Sequence, residues 1–299
     1  MKIFVTGVTG YIGGSLAERL VRGGHDVHGL VRSETQVESV KQQGIVPVIG
    51  SLDDSAVLSK AAHEADAVIN AASSDHRGAV ETLVEALSKS EKLLIHTSGS
   101  SIICDDARGE YQNATIFDDN SSLEPLPMRA ARVEIDRFVR RAGIDLGIRA
   151  VVICPSMTYG AGRGMQVNSD QIPKLAAHSI KKGAGLYIGK GLNRWSNVYI
   201  DDLVDLYLLA LDKAPSASFF FAENGEESLL RVAEAVSRSL GFAGETLSWK
   251  ADEAIAAYGD WARFALASNS RVRATNARSL LAWKPNGPTL IDVLEGDQK

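Results

Sequence analysis

The sequence predicts an α/β fold with a doubly wound parallel sheet and a smaller C-terminal lobe. Short apolar strand patterns alternate with helical patterns through the first half of the chain. A glycine-rich turn joins the first strand to the first helix, and the second half alternates less regularly. Because apolar strands that alternate with helices form parallel sheets covered on both faces, we predict one domain over residues 1–155 and a second lobe over residues 156–299.

The chain opens with a strand, a glycine turn, a helix and a second strand. Lys2–Thr6 is a short apolar strand, residues 15–22 have helical spacing, and Asp26–Val31 is a strand that runs into Arg32. This order is typical of the Rossmann unit that binds a dinucleotide. The first domain is therefore predicted to be a dinucleotide-binding domain.

The glycine turn has the spacing Gly-x-x-Gly-x-x-Gly. Gly7 lets the chain turn sharply off the strand, Gly10 lets the backbone approach a pyrophosphate, and Gly13 lets the helix pack closely on the strand. The helix N-terminus then offers free N–H groups to the phosphates. The predicted cofactor contacts of this turn are Gly7, Thr9, Gly10, Tyr11, Ile12 and Gly13.

Arg32 favours the phosphorylated form of the cofactor. In an NAD site an acidic residue near the end of the second strand binds the ribose 2′-hydroxyl. Here the strand ends at Arg32, which can pair with a 2′-phosphate, although Glu34 is close by. We therefore predict NADP, with NAD as the alternative; a solvated surface arginine is the other interpretation of Arg32.

The remaining elements continue the alternation. Strands are predicted at residues 46–49, 67–70, 93–97, 146–153 and 219–222, and helices at residues 54–63, 77–87, 128–141, 201–211 and 228–240. Part of residues 198–222 is expected to return to the first domain. The last sixty residues are predicted to form short helices and turns. Active sites in such sheets lie beyond the carboxyl ends of the strands.

Composition excludes several classes of protein. The formal net charge of −5 provides no basic surface for nucleic acid. Two cysteines with no metal-binding spacing and six scattered histidines predict neither a disulfide framework nor a metal site. No apolar run approaches the roughly 20 residues of a membrane span, and the first residues form a strand rather than a signal peptide. We expect a cytoplasmic protein with a small-molecule substrate.

Further motifs follow in order along nearly the whole chain. They are Gly50–Leu52, Asn70–Ala72, His96–Gly99, Pro155–Gly160, Trp195–Asp202 and Arg273–Pro285. With the glycine turn, this order and spacing resembles the extended short-chain dehydrogenase/reductase family, whose members are NAD(P)-dependent and similar to epimerases and dehydratases. The resemblance implies a Rossmann fold, a nicotinamide cofactor and a substrate cleft beside the C-terminal lobe.

The resemblance also implies further cofactor contacts. Ser51 stands where the family has an acidic residue that meets the adenine amino group, and a neutral hydroxyl is a weaker acceptor. Ala71 and Ala72 are small enough for the nicotinamide-side ribose to approach the backbone, or for close strand–helix packing. The other implied contacts are Leu52, Thr97, Arg132 and Pro155.

The catalytic tyrosine and lysine of that family are absent. In the family, a lysine four residues after the tyrosine lies on the same helical face and lowers the tyrosine pKa from about 10. Met128 stands at the tyrosine place and Arg132 at the lysine place, and none of the seven tyrosines precedes a lysine by four residues. A thioether cannot donate a proton. Met128 shares core spacing with Ala131, Ile135, Phe138 and Val139, which favours packing at the border of the site over substrate contact.

Arg132 can replace only part of the family's lysine. It can hydrogen-bond the nicotinamide ribose, polarise a carbonyl or hold an anion, but it keeps its proton at every working pH. The family's substrate-binding serine or threonine is Gly99 here, and the candidate replacements are Thr97, Ser98 and Ser100. A turn whose hydroxyls satisfy its own backbone is an equal alternative.

Two tyrosines are candidate proton donors because each follows the carboxyl end of a strand. They are Tyr111 and Tyr159, of which we favour Tyr159, and a surface or packing role is the alternative for both. The predicted catalytic residues are therefore Ser98, Arg132 and Tyr159, with no metal ligand.

Three functional hypotheses follow. The first is an NADP-dependent oxidoreductase that transfers a hydride between the nicotinamide and a small carbonyl or alcohol. The second is a non-catalytic NADP(H)-binding redox sensor, which the missing tyrosine favours. The third is a sugar-nucleotide epimerase or dehydratase, which the same absence weakens because that chemistry also needs proton transfer. By analogy with the family, a homodimer that pairs through residues 77–87 and 128–141 is possible.

Overall fold

The computed structural model describes residues 1–296 and has the predicted fold class. Its strands are β1 (Lys2–Thr6), β2 (Asp26–Val31), β3 (Val46–Ile49), β4 (Ala67–Asn70), β5 (Leu93–Thr97), β6 (Phe117–Asp118), β7 (Arg149–Pro155), β8 (Met157–Tyr159), β9 (Gly185–Ile188), β10 (Arg194–Tyr199), β11 (Ser218–Ala222), β12 (Gly225–Ser228), β13 (Thr246–Trp249) and β14 (Val272–Arg273).

Helices cover both faces of the main sheet and form much of the C-terminal lobe. They are α1 (Tyr11–Arg22), α2 (Val37–Gln42), α3 (Ser55–Glu64), α4 (Arg77–Leu87), α5 (Pro127–Asp145), α6 (Gln171–Lys182), α7 (Ile200–Lys213), α8 (Leu229–Ser239), α9 (Ala251–Tyr258), α10 (Thr275–Leu281) and α11 (Leu290–Gly296). A π-helical turn follows α9 at Ala262–Leu266.

Seven parallel strands form the main sheet in the order β3-β2-β1-β4-β5-β7-β11. The strand order reverses between β1 and β4, so the connections from these two strands leave toward opposite sides. Such a reversal opens a crevice at the carboxyl ends of the strands, where ligands bind in open α/β sheets. The topology therefore places the glycine turn, which follows β1, at the edge of this crevice.

The two faces of the sheet bury separate cores. Successive side chains of a strand point to opposite faces, so Val5 packs with α1 and α7 whereas its neighbour Phe4 packs with α3, α4 and α5. Leu16 and Leu206 belong to the first core, and Leu83 belongs to the second. Every residue of β4 and β5 is buried, so helices must cover both faces of the sheet at these strands.

The second half of the chain returns to the sheet before it completes the lobe. β11 pairs with β7, and α7 packs on the same face as α1. The lobe has a core of its own, built around a three-stranded sheet of β8, β10 and β12. The lobe also contains β9, which pairs with β13. The first helix begins at Tyr11, earlier than the helical spacing from residue 15 indicates.

A buried polar network connects α5 to the carboxyl ends of the central strands. Thr6 donates to Asn70 at 2.6 Å, and the Asn70 amide nitrogen lies 3.1 Å from Nδ1 of His96. Asp136 of α5 accepts a hydrogen bond from Ser98 at 2.7 Å, and its other oxygen lies 3.7 Å from Nε2 of His96. Burial lowers the pKa of His96 to about 4 and raises the pKa of Asp136 to about 7. The imidazole is therefore neutral at pH 7, and the contact is not an ion pair.

Replacing Asp136 with asparagine tests this network. The carboxyl has an ordinary pKa of 3.8 and a pKa of about 7 in the folded protein. Between these values the folded state binds the proton more tightly, so the wild type loses stability as the pH rises from about 4 through about 7. An amide does not titrate, so Asp136→Asn should not lose this stability. We therefore expect the free energy of unfolding of the variant minus that of the wild type to increase with pH, by about 4 kcal/mol at most. Denaturant titrations from pH 5 to pH 8 measure this difference, and a difference that does not vary with pH would contradict the assignment.

Candidate cofactor and substrate site

A first cavity, of about 680 Å³, lies beyond the carboxyl ends of β1, β2 and β4. The predicted cofactor residues that line it are Gly7, Thr9, Gly10, Arg32, Leu52, Ala71 and Ala72. They come from the ends of separate strands, which the parallel sheet brings to one edge. Met165 and Gln166 also line the cavity, and nothing in the sequence analysis indicated them.

The glycine turn leaves no room for side chains. Gly7 has a φ of +77°, and a Cβ added to it would lie 2.7 Å from the backbone oxygen of Ala71. A Cβ at Gly13 would lie 2.3 Å from the backbone oxygen of Gly7. No side chain caps α1 at Gly10, so the first-turn amides remain for an anion. This cradle, which a Cβ would fill, fits the diphosphate of a dinucleotide.

Arg32 lies at the far end of the first cavity. Its backbone N–H donates to the side chain of Gln36 at 3.1 Å, and Gln36 also lines the cavity. The Arg32 guanidinium has no carboxylate partner among residues 1–296, and Glu34 is exposed in the short helical turn that follows. A free guanidinium at this position fits a phosphate on the adenosine ribose.

A loop at residues 160–170 covers the start of α1. The Tyr11 hydroxyl donates to the backbone oxygen of Gly160 at 2.8 Å, and the Arg163 amide donates to Ser15 at 3.0 Å. Gly164 packs directly on Gly14, where a Cβ on Gly164 would lie 2.6 Å from the Gly14 backbone. These contacts hold Met165 and Gln166 against the first cavity.

A second cavity, of about 240 Å³, lies at the carboxyl ends of β5 and β7. Four predicted cofactor residues line it: Tyr11, Ile12, Arg132 and Pro155. The lobe contributes Met157 and Trp195, and the turn after β5 contributes Gly99, Ser100 and Ser101. The cavity is therefore bounded by the main sheet on one side and by the C-terminal lobe on the other.

Arg132 holds a fixed position in the second cavity. Its guanidinium forms a bidentate ion pair with Asp75, with 2.7 Å between Nε and Oδ1, and Nη1 donates to Ser101 Oγ at 3.0 Å. The hydrogen bond from Arg132 lowers the pKa of the Asp75 carboxyl. Since Ser101 accepts from Arg132, its own O–H hydrogen is available to another acceptor. Ser101 was not among the replacements considered from the sequence, because its partner Arg132 is distant in the chain.

Met128 does not pack in the core as its helical spacing predicted. Met128 is 52% exposed, and its sulfur lies 3.9 Å from the guanidinium nitrogen Nη1 of Arg263 on the C-terminal lobe. The spacing fails here because Met128 lies in the first turn of α5, ahead of the segment whose apolar face reaches the sheet. Ile135 and Val139, further along the helix, are buried as that spacing requires.

Several predicted site residues point their side chains away from both cavities. The Ser98 hydroxyl donates to Asp136, and the Thr97 hydroxyl lies 2.7 Å from that of Tyr207 in the core. Ser51 accepts from the Asp53 amide at 3.2 Å. These three hydroxyls form hydrogen bonds to buried or neighbouring protein groups. This corresponds to the alternative interpretation, in which the hydroxyls serve the structure rather than a ligand.

The tyrosine candidates are also displaced from the second cavity. Tyr159 is buried, and its hydroxyl donates to the backbone oxygen of Pro288 at 2.7 Å. Burial raises its pKa far above the ordinary value of 10. Tyr111 is 48% exposed on a surface loop. Neither hydroxyl is placed to exchange a proton with a ligand beside Arg132.

Residues 1–296 show neither a metal-binding cluster nor a membrane-spanning helix. No group of three or more His, Cys, Asp or Glu side chains there is arranged to hold a metal ion. None of the helices in that range combines the length and the apolar character that crossing a bilayer requires.

The chain is similar in sequence to a known protein family and to individual proteins. A sequence profile of the NAD dependent epimerase/dehydratase family matches residues 3–219. The oxidase ucsJ of Acremonium sp is 33% identical over 98% of this chain and 95% of its own length. A 4-hydroxy-2-methyl-3-oxo-4-farnesyl-3,4-dihydroquinoline-1-oxide ketoreductase of Stigmatella aurantiaca is 26% identical over 77% of this chain and 70% of its own.

A solved structure shows the same fold. The dTDP-glucose 4,6-dehydratase of Bacillus anthracis, determined in complex with NAD, superposes with a TM-score of 0.78 at 18% identity and covers 99% of this chain and 94% of its own. Together with the family match and the glycine turn, this confirms the resemblance to extended short-chain dehydrogenases. The chain belongs to the NAD dependent epimerase/dehydratase family.

Proposed function

We propose that this protein is an NADP(H)-dependent oxidoreductase that transfers a hydride between the nicotinamide and a small carbonyl or alcohol substrate. The observation that supports this most directly is that consecutive residues at the start of α1 line the two cavities. Gly10 lines the first, and Tyr11, the next residue, lines the second. A dinucleotide with its diphosphate over the start of α1 would therefore extend its nicotinamide toward Arg132 and Ser101.

The sequence relatives and the structural relative differ in what they indicate about the reaction. The two similar proteins described above are named as an oxidase and a ketoreductase, and both names denote redox chemistry at the substrate. The structural match to a sugar-nucleotide dehydratase is only 18% identical, so it supports the fold alone. The relatives therefore favour oxidation or reduction over epimerisation or dehydration.

Arg132 and Ser101 form the donor set that we propose for the substrate oxygen. When bound, the nicotinamide supplies the hydride donor or acceptor. Negative charge develops on the carbonyl oxygen as it is reduced, and a fixed cation with an adjacent hydroxyl donor stabilises that charge. Asp75 keeps the guanidinium in place. Arg132 does not release its proton. The Ser101 hydroxyl therefore donates its proton to the substrate oxygen, which completes the alcohol, and takes a proton from solvent in return.

The proposed function predicts a preference for the phosphorylated cofactor. We expect NADPH and NADP to raise the melting temperature more than NADH and NAD do, because the Arg32 guanidinium can bind the 2′-phosphate. A ligand at a hundred times its Kd adds about 2.7 kcal/mol to the free energy of unfolding. In Arg32→Ala the four nucleotides should give similar shifts. Thermal melting with each nucleotide measures this.

The control for that experiment is Arg141→Ala. Arg141 lies nine residues after Arg132 on α5, about 14 Å along the helix from the second cavity. This variant should keep the wild-type preference. A wild type that binds NADH as tightly as NADPH, or an Arg32→Ala variant that keeps the preference, would remove the phosphate assignment.

The proposed function also predicts that the Ser101 hydroxyl contributes to turnover. With the best substrate from a panel of ketones and aldehydes, Ser101→Ala should lower kcat by about 100-fold, since removing one donor to a developing oxyanion has an effect of that order. The NADPH-induced melting shift should not change. Ser98→Ala is the matched control, because its hydroxyl faces Asp136 rather than the cavity.

Steady-state kinetics with NADPH absorbance measures both variants. If Ser98→Ala lowers kcat as much as Ser101→Ala does, the donor set is wrong. If the wild type binds NADPH but oxidises it with no member of the panel, the result favours a cofactor-binding sensor without turnover.

A further inference from the structure

Two arginines lie where the start of α5 meets the C-terminal lobe. Arg129 lies in the first turn of α5, and Arg263 lies in the π-helical turn of the C-terminal lobe. The Arg129 guanidinium carbon lies 3.9 Å from the ring centre of Phe264, and Arg263 contacts the exposed sulfur of Met128. Each arginine therefore contacts the residue next to the other arginine in the chain, so both belong to the same contact between α5 and the lobe.

Neither arginine has a carboxylate partner within residues 1–296. Other arginines beside the cavities do, such as Arg132 with Asp75 and Arg163 with Asp201. The Nε atoms of Arg129 and Arg263 are both buried and make no hydrogen bond. A buried donor without an acceptor is costly, and a cationic one more so. The folded protein therefore keeps two unsatisfied cationic donors at one place.

The groups around Arg129 do not neutralise it. The nearby thiol of Cys104 stays protonated, since burial raises its pKa to about 11. The Asp75 carboxylate, whose pKa the Arg129 charge helps to lower, already forms a bidentate pair with Arg132. Arg129 lies three residues before Arg132 on α5, about one helical turn from the proposed donor set.

We propose that the substrate carries an oxyanion, a carboxylate or a phosphate, that binds between Arg129 and Arg263 while its carbonyl or hydroxyl group lies at Arg132 and Ser101. An oxyanion accepts charge-assisted hydrogen bonds from guanidinium groups, and neither of these two groups is already paired with a carboxylate of residues 1–296. The inference rests on the proposed function and adds a substrate class to it. Since Arg263 belongs to the lobe and Arg129 to α5, the same anion links the two walls of the cleft.

Thermal melting with three matched probes tests this inference. Benzoate carries a carboxylate, phenyl phosphate carries a phosphate, and benzamide has nearly the shape of benzoate without its charge. At saturating NADPH we expect one or both acids to raise the melting temperature of the wild type, and benzamide to have no effect. The acid with the larger shift identifies which oxyanion the site prefers.

Variants assign the effect to the two arginines. Arg129→Gln and Arg263→Gln should each weaken binding of the preferred acid by at least about tenfold, because each removes a charge-assisted pair. Arg129→Lys and Arg263→Lys keep the charge and should retain part of the affinity, which separates lost charge from lost packing on Phe264. Arg141→Gln, on the distant end of α5, should bind the acid as the wild type does.

The outcomes separate this inference from the proposed function. The NADPH shift itself, measured without probe, tests the cofactor site and should be the same in every variant. If NADPH binds but no probe acid is preferred over benzamide, or if the preference survives in both glutamine variants, the oxyanion site is wrong. If an arginine-dependent acid shift occurs without any NADPH shift, the oxyanion site stands and the proposed function fails.

Discussion

The close contact between Gly7 and Gly13 is the constraint on which the site depends. With a positive φ at Gly7 and no Cβ at Gly13, α1 can begin directly behind β1 and present its first-turn amides to the crevice. The same turn places Tyr11 between the two cavities and Gly14 beneath the loop at residues 160–170. A side chain at either glycine would separate α1 from the sheet and displace everything seated on it.

The arginines of the site are related to the absence of the family's tyrosine and lysine pair. A tyrosine and lysine pair can move protons, whereas Met128 and Arg132 cannot. The protein instead holds a permanent cation against Asp75 and couples it to the Ser101 hydroxyl. Arg32 lines the first cavity, Arg129 and Arg263 lie where α5 meets the lobe, and none of the three has a carboxylate partner within residues 1–296. Unpaired cations thus concentrate where the proposed cofactor and substrate present their anionic groups.

Much of the architecture was predictable from the sequence because it depends on local pattern. Apolar strands, helical spacing and the glycine turn predicted the parallel sheet, and the family motifs indicated residues that line both cavities. Side-chain directions were not predictable. Ser98 and Tyr159 point to Asp136 and to the Pro288 backbone, partners 38 and 129 residues away, and the role of Ser101 depends on its contact with Arg132.

A crystal structure of the protein with NADP tests the central claim most directly. The account predicts that the diphosphate lies over the first turn of α1 between Gly10 and Gly13, the 2′-phosphate contacts Arg32, and the nicotinamide reaches the second cavity beside Arg132. An empty crevice, or a nucleotide bound elsewhere on the chain, would contradict both the proposed reaction and the assignment of the site.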